Sequence, residues 1–513
     1  MSLTHDYRIP TASIFLVALS ACAVQPANRN PSPQITPAAA FQAETQSDLD
    51  RIDHWWMAFS SHELNQLVEE ALSANLDVKK AWSRLDQAQA LSRGSRSQLF
   101  PSASLSANAL DTKTRQEIDE APTQTTDAER ASFGGNLSYE VDIWRRISSQ
   151  NRSSLASQAA SFEDLQATAF IVSGSVLDAW LSIREHSELL RLVREQLEAN
   201  RTQLELLELR LQVGEASALD VLQQRQQLAA TEAEIPSLAS VLETSLHRLE
   251  VLLGRPPRND TRATNALALP DLPPLPALGT PSDLLENRPD LRSARHRLAA
   301  ADADTAAAVA DQLPRLNLNL SYDFQADEFI GPFDRQVRTL LGDLTGPLFD
   351  GGRRKAAIAR SKAIAEERLN EYAQIFLNAL LEVENALVQE RRQGELITAL
   401  QEQAKFARQN LEEAEARYRN GLNDYLPVLA ALESAQRLDR RIISERRKQL
   451  SFRADLYRAL GGRWNQKLLQ NAGTLKNKSG TKSMRSEPIS PSKWNTTLQP
   501  RQPSDPHRPL SCS

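Results

Sequence analysis

Apolar residues along this chain recur with two periods. From Ser102 to Leu110, Ala103, Leu105, Ala107 and Ala109 fall between Ser102, Ser104, Ser106 and Asn108. Leu316, Leu318, Leu320, Tyr322 and Phe324 alternate in the same way with Arg315, Asn317, Asn319, Ser321 and Asp323. Phe133, Leu137, Tyr139, Val141 and Ile143 mark a third run. Leu340, Leu344 and Leu348 mark a weaker fourth within 335–349. A period of two predicts strands with one apolar and one polar face. Between these runs the spacing changes to three and four: Leu190, Val193, Leu197, Asn200, Leu204, Leu207 and Leu211, then Ile235, Leu238, Leu242, Ser245, Leu249 and Leu252. A sustained seven-residue period predicts coiled-coil packing. Gly174 is the only helix breaker between Arg145 and Val213, so the spacing predicts one helix about 100 Å long at 1.5 Å per residue. Val213-Gly214-Glu215-Ala216 and Asn420-Gly421-Leu422-Asn423 are the predicted reversals, because glycine admits the positive φ that ends a helix.

The pattern occurs twice. At an offset of 207, 20 of the 76 positions in 179–254 match 386–461, among them Gly214 with Gly421, Leu219 with Leu426, and Gly254 with Gly461. At an offset of 213, Asp77, Ala81, Leu85 and Pro101 meet Asp290, Ala294, Leu298 and Pro314. At 208, Asp142, Arg145 and Arg146 meet Asp350, Arg353 and Arg354, which predicts a five-residue loss between the two strands of the second copy. Ile397, Leu400, Ala404, Ala407, Leu411, Ala414 and Tyr418 continue the heptads there. Each copy reads helix, strand, strand, long helix, turn, long helix, over 62–254 and 283–464. A proline-rich linker at 255–282 joins them. Four strands cannot close a membrane barrel, for which about eight is the minimum, and an open edge in lipid leaves backbone groups unpaired. Either the sheet lays one face on a soluble core, or several chains pool their strands.

Composition narrows the classes. A formal charge of −5 over 513 residues lacks the basic footprint of a nucleic-acid binder. No run of 18 apolar residues predicts an ordinary transmembrane helix. Residues 1–21 have the short apolar stretch of a cleaved signal. Leu19-Ser20-Ala21-Cys22 is similar to the lipobox of bacterial lipoproteins, which would lipidate Cys22; an unmodified cysteine after an ordinary signal is the alternative. Residues 22–61 would then form a lipidated N-terminal and equatorial segment. The seven His show no metal-ligand spacing, and no phosphate loop, nucleophile elbow or Cys-x-x-Cys occurs. Glu366-Glu367 and Glu412-Glu413 lie on charge-dense helices and read as solvated faces. No catalytic residue, metal or cofactor is expected. The Lys-, Ser- and Pro-rich tail, 465–513, is predicted to be disordered.

Several segments carry a resemblance: Trp55-Trp56 with Phe59, Leu64, Leu67, Ala71-Leu72 and Asn75; Asn287-Arg288-Pro289-Asp290-Leu291; Leu348-Phe349-Asp350-Gly351-Gly352-Arg353-Arg354; Arg417-Tyr418-Arg419-Asn420-Gly421; and Gly461-Gly462-Arg463-Trp464. In this order, over about residues 50–465, the chain resembles the outer-membrane efflux factors typified by TolC, in particular the lipoprotein branch serving tripartite pumps of the resistance-nodulation-division type. The resemblance implies a mixed α and β membrane protein. It would be a homotrimer with a twelve-stranded β-barrel, four strands per chain, continued by a long periplasmic α-helical barrel. It implies a passive exit duct for small molecules or drugs, with a periplasmic adaptor (membrane fusion) protein, an inner-membrane pump and outer-membrane lipid as partners, and no nucleic acid. By position it implies a periplasmic gate with Leu219, Asp220 and Leu426 at the constriction and Arg417, Tyr418 and Asp424 in inter-helix links. It implies adaptor-contacting tips at Val213, Gly214, Glu215, Asn420, Gly421 and Leu422. Tyr418 and Leu426 equally fit heptad packing. Three copies of Asp220 near one axis would make an acidic ring of the kind that selects cations. Ala430 and Glu433 stand where relatives often carry an Asp and an Arg, and Pro427 where a small polar residue is common, so the gate would be held by fewer or different ion pairs. The duct of a type I protein exporter and a lipid-anchored coiled-coil scaffold without a pore are the competing readings.

Overall fold

The computed structural model describes Phe41 and residues 54–116, 124–258, 268–328 and 332–462. The expectations for the signal peptide, Cys22, Arg463-Trp464 and the tail lie outside these residues. The first half runs α1 (His62–Ala74), α2 (Leu76–Ser97), β1 (Ser102–Gln116), β2 (Gln124–Val141), α3 (Arg146–Gln212) and α4 (Ala218–Leu252). The second runs α5 (Leu284–Asn287), α6 (Pro289–Ala310), β3 (Arg315–Ala326), β4 (Arg335–Thr345), α7 (Arg353–Arg419) and α8 (Leu426–Leu460). Their lengths match in pairs: 22 residues in α2 and α6, 67 in α3 and α7, 35 in α4 and α8.

One sequence register needs correction. Arg145 and Gly352, the residues before α3 and α7, both take left-handed φ, at 59° and 89°. They are 207 positions apart. Ser102 faces Ser138, and Arg315, 213 positions later, faces Thr345, 207 positions after Ser138. The strands therefore already follow the 207 register. The Asp-x-x-Arg-Arg match at 208 is a slip of one residue, and the second copy is shorter by six residues rather than five.

The four strands form one antiparallel sheet in the order β1-β2-β3-β4, with β2 and β3 joining the halves. Opposed residues share a face, so Leu137, Leu320 and Leu340 lie together across three strands. That apolar face is uncovered in the single chain: Leu105 is 79% and Leu340 73% exposed. A soluble sheet laid on a core would bury it. β1 and β2 run further than the alternation indicates, to Gln116 and from Gln124. Around Asp111–Thr114 and Thr125–Asp127 both faces are polar, so no period shows, and Lys113 pairs with Asp127 across the strands at 3.1 Å. Ile143 and Leu348 fall outside their strands. β4 stops at Thr345 because Gly346-Pro347 follows, and proline has no N–H for a ladder.

The helices bury the expected seams. Leu190, Val193, Leu197, Asn200 and Leu207 are buried on α3, and Ile397, Leu400, Ala404, Ala414 and Tyr418 on α7. Ile235, Leu238 and Leu242 of α4 are only half-buried. Contrary to expectation, α3 contains an 18-residue window apolar enough by composition to cross a membrane, but 67% of it is buried inside the protein, so it reads as a core helix. Midway along the long helices, Trp55, Trp56 and Phe59 are buried, and Trp55 stacks on Tyr457 at 6.5 Å. The linker is strapped across this level. Arg184 binds Glu63 at 2.5 Å and the Ala268 carbonyl at 3.3 Å. Arg453 binds Glu390 and the Pro273 carbonyl, and the Tyr457 hydroxyl donates to the Pro274 carbonyl at 2.9 Å.

Candidate gate at the hairpin tips

Both long helices end in the same way. Gly214 N–H donates to Leu211 O (3.1 Å) and Glu215 N–H to Arg210 O (2.8 Å); Gly421 N–H donates to Tyr418 O (3.0 Å) and Leu422 N–H to Arg417 O (2.9 Å). Gly214 and Gly421 have φ of 79° and 67°. This is the six-to-one, five-to-two pairing of a Schellman stop, which satisfies the last carbonyls and needs a left-handed residue. Asn420 Nδ2 also donates to Ala416 O, at 2.8 Å.

The return helices start differently. Ser217 Oγ accepts from Asp220 N–H (3.2 Å), and Asp220 Oδ2 accepts from Ser217 N–H (3.0 Å), a reciprocal capping box. α8 has no side-chain cap; Pro427 occupies its first turn. Tyr425 takes the capping position with its ring fully buried. Leu207 and Val221 from the first hairpin enclose it together with Ala414, Tyr418, Val428 and Leu429 from the second. Tyr418 meets Tyr425 edge-on, centroids 5.3 Å apart, and the Arg210 guanidinium lies over the Tyr418 ring at 4.7 Å. Such ring contacts add about 0.5–1.5 kcal/mol beyond burial.

Above the rings runs a buried amide ladder that crosses between hairpins. The Tyr425 hydroxyl donates to Gln224 Oε1 at 2.7 Å, and Gln224 Nε2 donates to Asn200 O at 2.8 Å. Gln436 Nε2 donates to Asn200 Oδ1 at 2.8 Å, while Asn200 Nδ2 donates to Thr231 Oγ1 at 2.9 Å. Ion pairs between the hairpins lie further along: Arg440 with Glu234 at 3.2 Å and Arg447 with Asp178 at 2.5 Å.

The expected site residues divide sharply. Tyr418 is buried and does join the hairpins. Its hydroxyl makes no directed hydrogen bond; burial first, and the nearby Asp220 charge second, raise the phenol above its ordinary value. Burial likewise raises the Tyr425 phenol. Asp220 is half-buried and holds the first cap. Among the described residues Arg417 pairs with Glu413 of its own helix, at 2.8 Å, and not with another helix. Asp424 is exposed. Leu219, Leu426, Val213 and Leu422 are exposed apolar residues at the tips. Glu215 is exposed and 3.6 Å from Arg210. Ala430 and Pro427 are exposed and Glu433 half-buried. Tyr425, Arg210, Gln224 and Gln436 were not anticipated. Asn200, a polar residue in an apolar seam, was the one sequence signal pointing to the ladder. Among the described residues no group of three or more His, Cys, Asp or Glu is placed to hold a metal.

This combination of an uncovered strand quartet and paired hairpins invites comparison with known proteins. The outer membrane efflux protein family matches residues 67–255 and 280–462, one segment on each half. The chain belongs to that family. The pyoverdine export outer membrane protein OpmQ of Pseudomonas putida is 34% identical over 450 residues, covering 85% of this chain and 93% of OpmQ. The outer membrane protein OprJ of Pseudomonas aeruginosa is 29% identical, covering 89% and 96%. Among solved structures, the outer-membrane channel OprN superposes with a TM-score of 0.80 at 31% identity, over 86% of this chain and all of OprN. The outer membrane protein VceC of Vibrio cholerae superposes at 0.75 with 25% identity, over 81% and 100%. This efflux protein is thus an outer-membrane exit duct, from a family of channels rather than of enzymes.

Proposed function

We propose that three copies of this efflux protein pool their strands into one twelve-stranded barrel and their helices into a periplasmic tunnel, forming the passive exit of a tripartite small-molecule pump. The observation that carries this reading is the sheet: four strands with an exposed apolar face, whose outer strands, β1 and β4, each leave one edge unpaired among the described residues. Such edges are tolerated in lipid only when closed by further strands. Two matched halves, 62–254 and 283–464, express an internal duplication, and the linker at 255–282 straps them at the equator. The half-buried seam of α4 faces the next copy. Cys22 carries the lipid after removal of residues 1–21, residues 22–61 lead from that anchor to the equator, and 465–513 is a dispensable extension. The exposed Val213, Leu219, Leu422 and Leu426, with Gly214, Glu215, Asn420 and Gly421, form the rim that meets a periplasmic adaptor, behind which an inner-membrane pump supplies the energy. Tyr418 and Asp220 act at the gate with Tyr425, whereas the exposed Asp424, and Arg417 on giving up its pair with Glu413, reach a neighbouring copy. Small-molecule cargo is supported by the relatives, one of which is named for pyoverdine export and another for toluene efflux.

Light scattering and planar-bilayer conductance of the purified full chain test this reading. A trimer that opens discrete channels is expected. A monomer without conductance would leave the scaffold reading standing.

A further inference from the structure

The β2–β3 seam inside the chain is a template for the seam between copies. Val141 lies opposite Leu316, and just beyond, the Trp144 indole N–H donates to the Pro314 carbonyl at 2.7 Å. Moving β2 on by 207 positions gives β4, and moving β3 back by 213 gives β1. The transformed seam places Leu348 opposite Ala103 and Leu344 opposite Ala107 of the next copy. Gly351 falls where Trp144 stood, so the indole–carbonyl bond has no counterpart. What stands there instead is Leu348 and Phe349, 103% and 92% exposed in the single chain, with Phe100 exposed at the facing corner.

We infer that the seam between copies repeats the β2–β3 register, β4 against β1, and is plugged at the strand–helix boundary by Leu348 and Phe349 of one copy packed on the Phe100–Ala103 corner of the next. The inference rests on the trimeric reading above. Two features support it independently. The register brings Arg335, the start of β4, opposite Gln116, the end of β1, so that the two edges finish together. It also sets the apolar face of β4 beside that of β1, whereas a slip of one residue would put apolar against polar. Its rival is a shift of two, which puts Leu344 opposite Leu105 and Arg338 opposite Asp111. The inferred register instead sets Arg338 opposite Lys113, whose ammonium is already held by Asp127.

The two are separable in the full chain carrying Cys512→Ser. Differently tagged copies, one with Leu344→Cys and one with Ala107→Cys, are co-expressed and oxidised. Asp343→Cys with Asn108→Cys repeats the measurement on the opposite face, where cross-strand thiols have different spacing. Inter-chain disulfide is expected about tenfold above that for Leu344→Cys with Leu105→Cys, since poorly placed thiols do not bridge. The reverse ratio, or no disulfide in a protein that scatters light as a trimer, overturns the register. A monomer with no cross-link overturns the trimeric reading instead. Phe349→Trp reports on the plug: fluorescence insensitive to brominated lipid is expected, and strong quenching would place that side chain in the bilayer and overturn the packing.

Discussion

The two hairpins stop their long helices identically and restart them by opposite means. The first uses a polar device at the surface, the Ser217–Asp220 box, and leaves Leu219 and Leu222 exposed. The second buries Tyr425 between the hairpins and has no side-chain cap. The difference shows where each restart draws its stability: the first tip from itself, the second from its neighbour. If the tips act as the proposed gate, it can loosen at the second tip while the first keeps its form.

Five substitutions, and one titration with a sixth, probe that asymmetry. Tyr425→Ala removes a fully buried ring and a cross-hairpin hydrogen bond, and should cost about 3–5 kcal/mol locally. Hydrogen exchange should rise at 420–432 and at Val221 and Gln224, which touch the ring, with little change at 213–219; equal rises across both tips would mean that the first tip also leans on the second. Gly421→Ala and Gly214→Ala each force a side chain into left-handed φ at roughly 1–2 kcal/mol. Nothing crowds a Cβ at either site, so the two costs should agree, and a large inequality in thermal or exchange stability would show that the stops are not equivalent. Ser217→Ala should cost about 1 kcal/mol, with increased exchange confined to the start of α4; spread into α8 would contradict a self-contained cap.

The titration concerns the paired phenols. Raised phenol values mean that the folded tip holds both tyrosines neutral. Their stabilisation is complete below the ordinary tyrosine value of about 10 and is lost as pH climbs through the higher folded values. Ultraviolet titration should therefore show four tyrosines ionising late, because burial also raises the Tyr372 and Tyr457 phenols, and Asp220→Asn should bring Tyr418 down while leaving the other three late. An unmoved Tyr418 would remove Asp220 from the link. Arg417→Ala is the smallest change, within about 0.5 kcal/mol for an exposed helical pair. A larger effect in the assembled protein that is absent from the monomer would reveal a partner in another copy.

Much of the fold was legible because its punctuation is chemical. Gly214 and Gly421 mark both reversals, and the heptads carry the helices between them. The outer parts of β1 and β2 were hidden because strands that are polar on both faces have no period to read. The register slip at 208 came from the repeated Arg-Arg pair, which sits one position apart in the folded copies because Gly351-Gly352 makes a different approach to α7 than Trp144-Arg145 makes to α3. The gate was legible only in part. Resemblance set Asp220 at a constriction and Tyr418 in an inter-helix link; in the single chain Tyr418 packs with Leu207 and Val221 of the first hairpin, and Asp220 holds the first cap. Tyr425 precedes the first turn of its helix, outside the heptad pattern, and Gln224 and Gln436 carry no local sequence signal, because what buries them is the packing of one hairpin on the other. Asn200 broke an apolar series beside this ladder, as Ser245 does in α4.

The equal length of α3 and α7 also acts as a ruler. Both tips end side by side, in one cluster that draws on both hairpins, so the reach of the tunnel is specified twice in one chain. A seven-residue insertion in one helix alone would carry its tip about 10 Å past the other and pull Tyr425 out of its socket. Only matched insertions in both copies would lengthen the duct and keep the rim level. In the proposed assembly, the distance from outer membrane to adaptor is therefore a quantity that this protein can change only by altering both halves together.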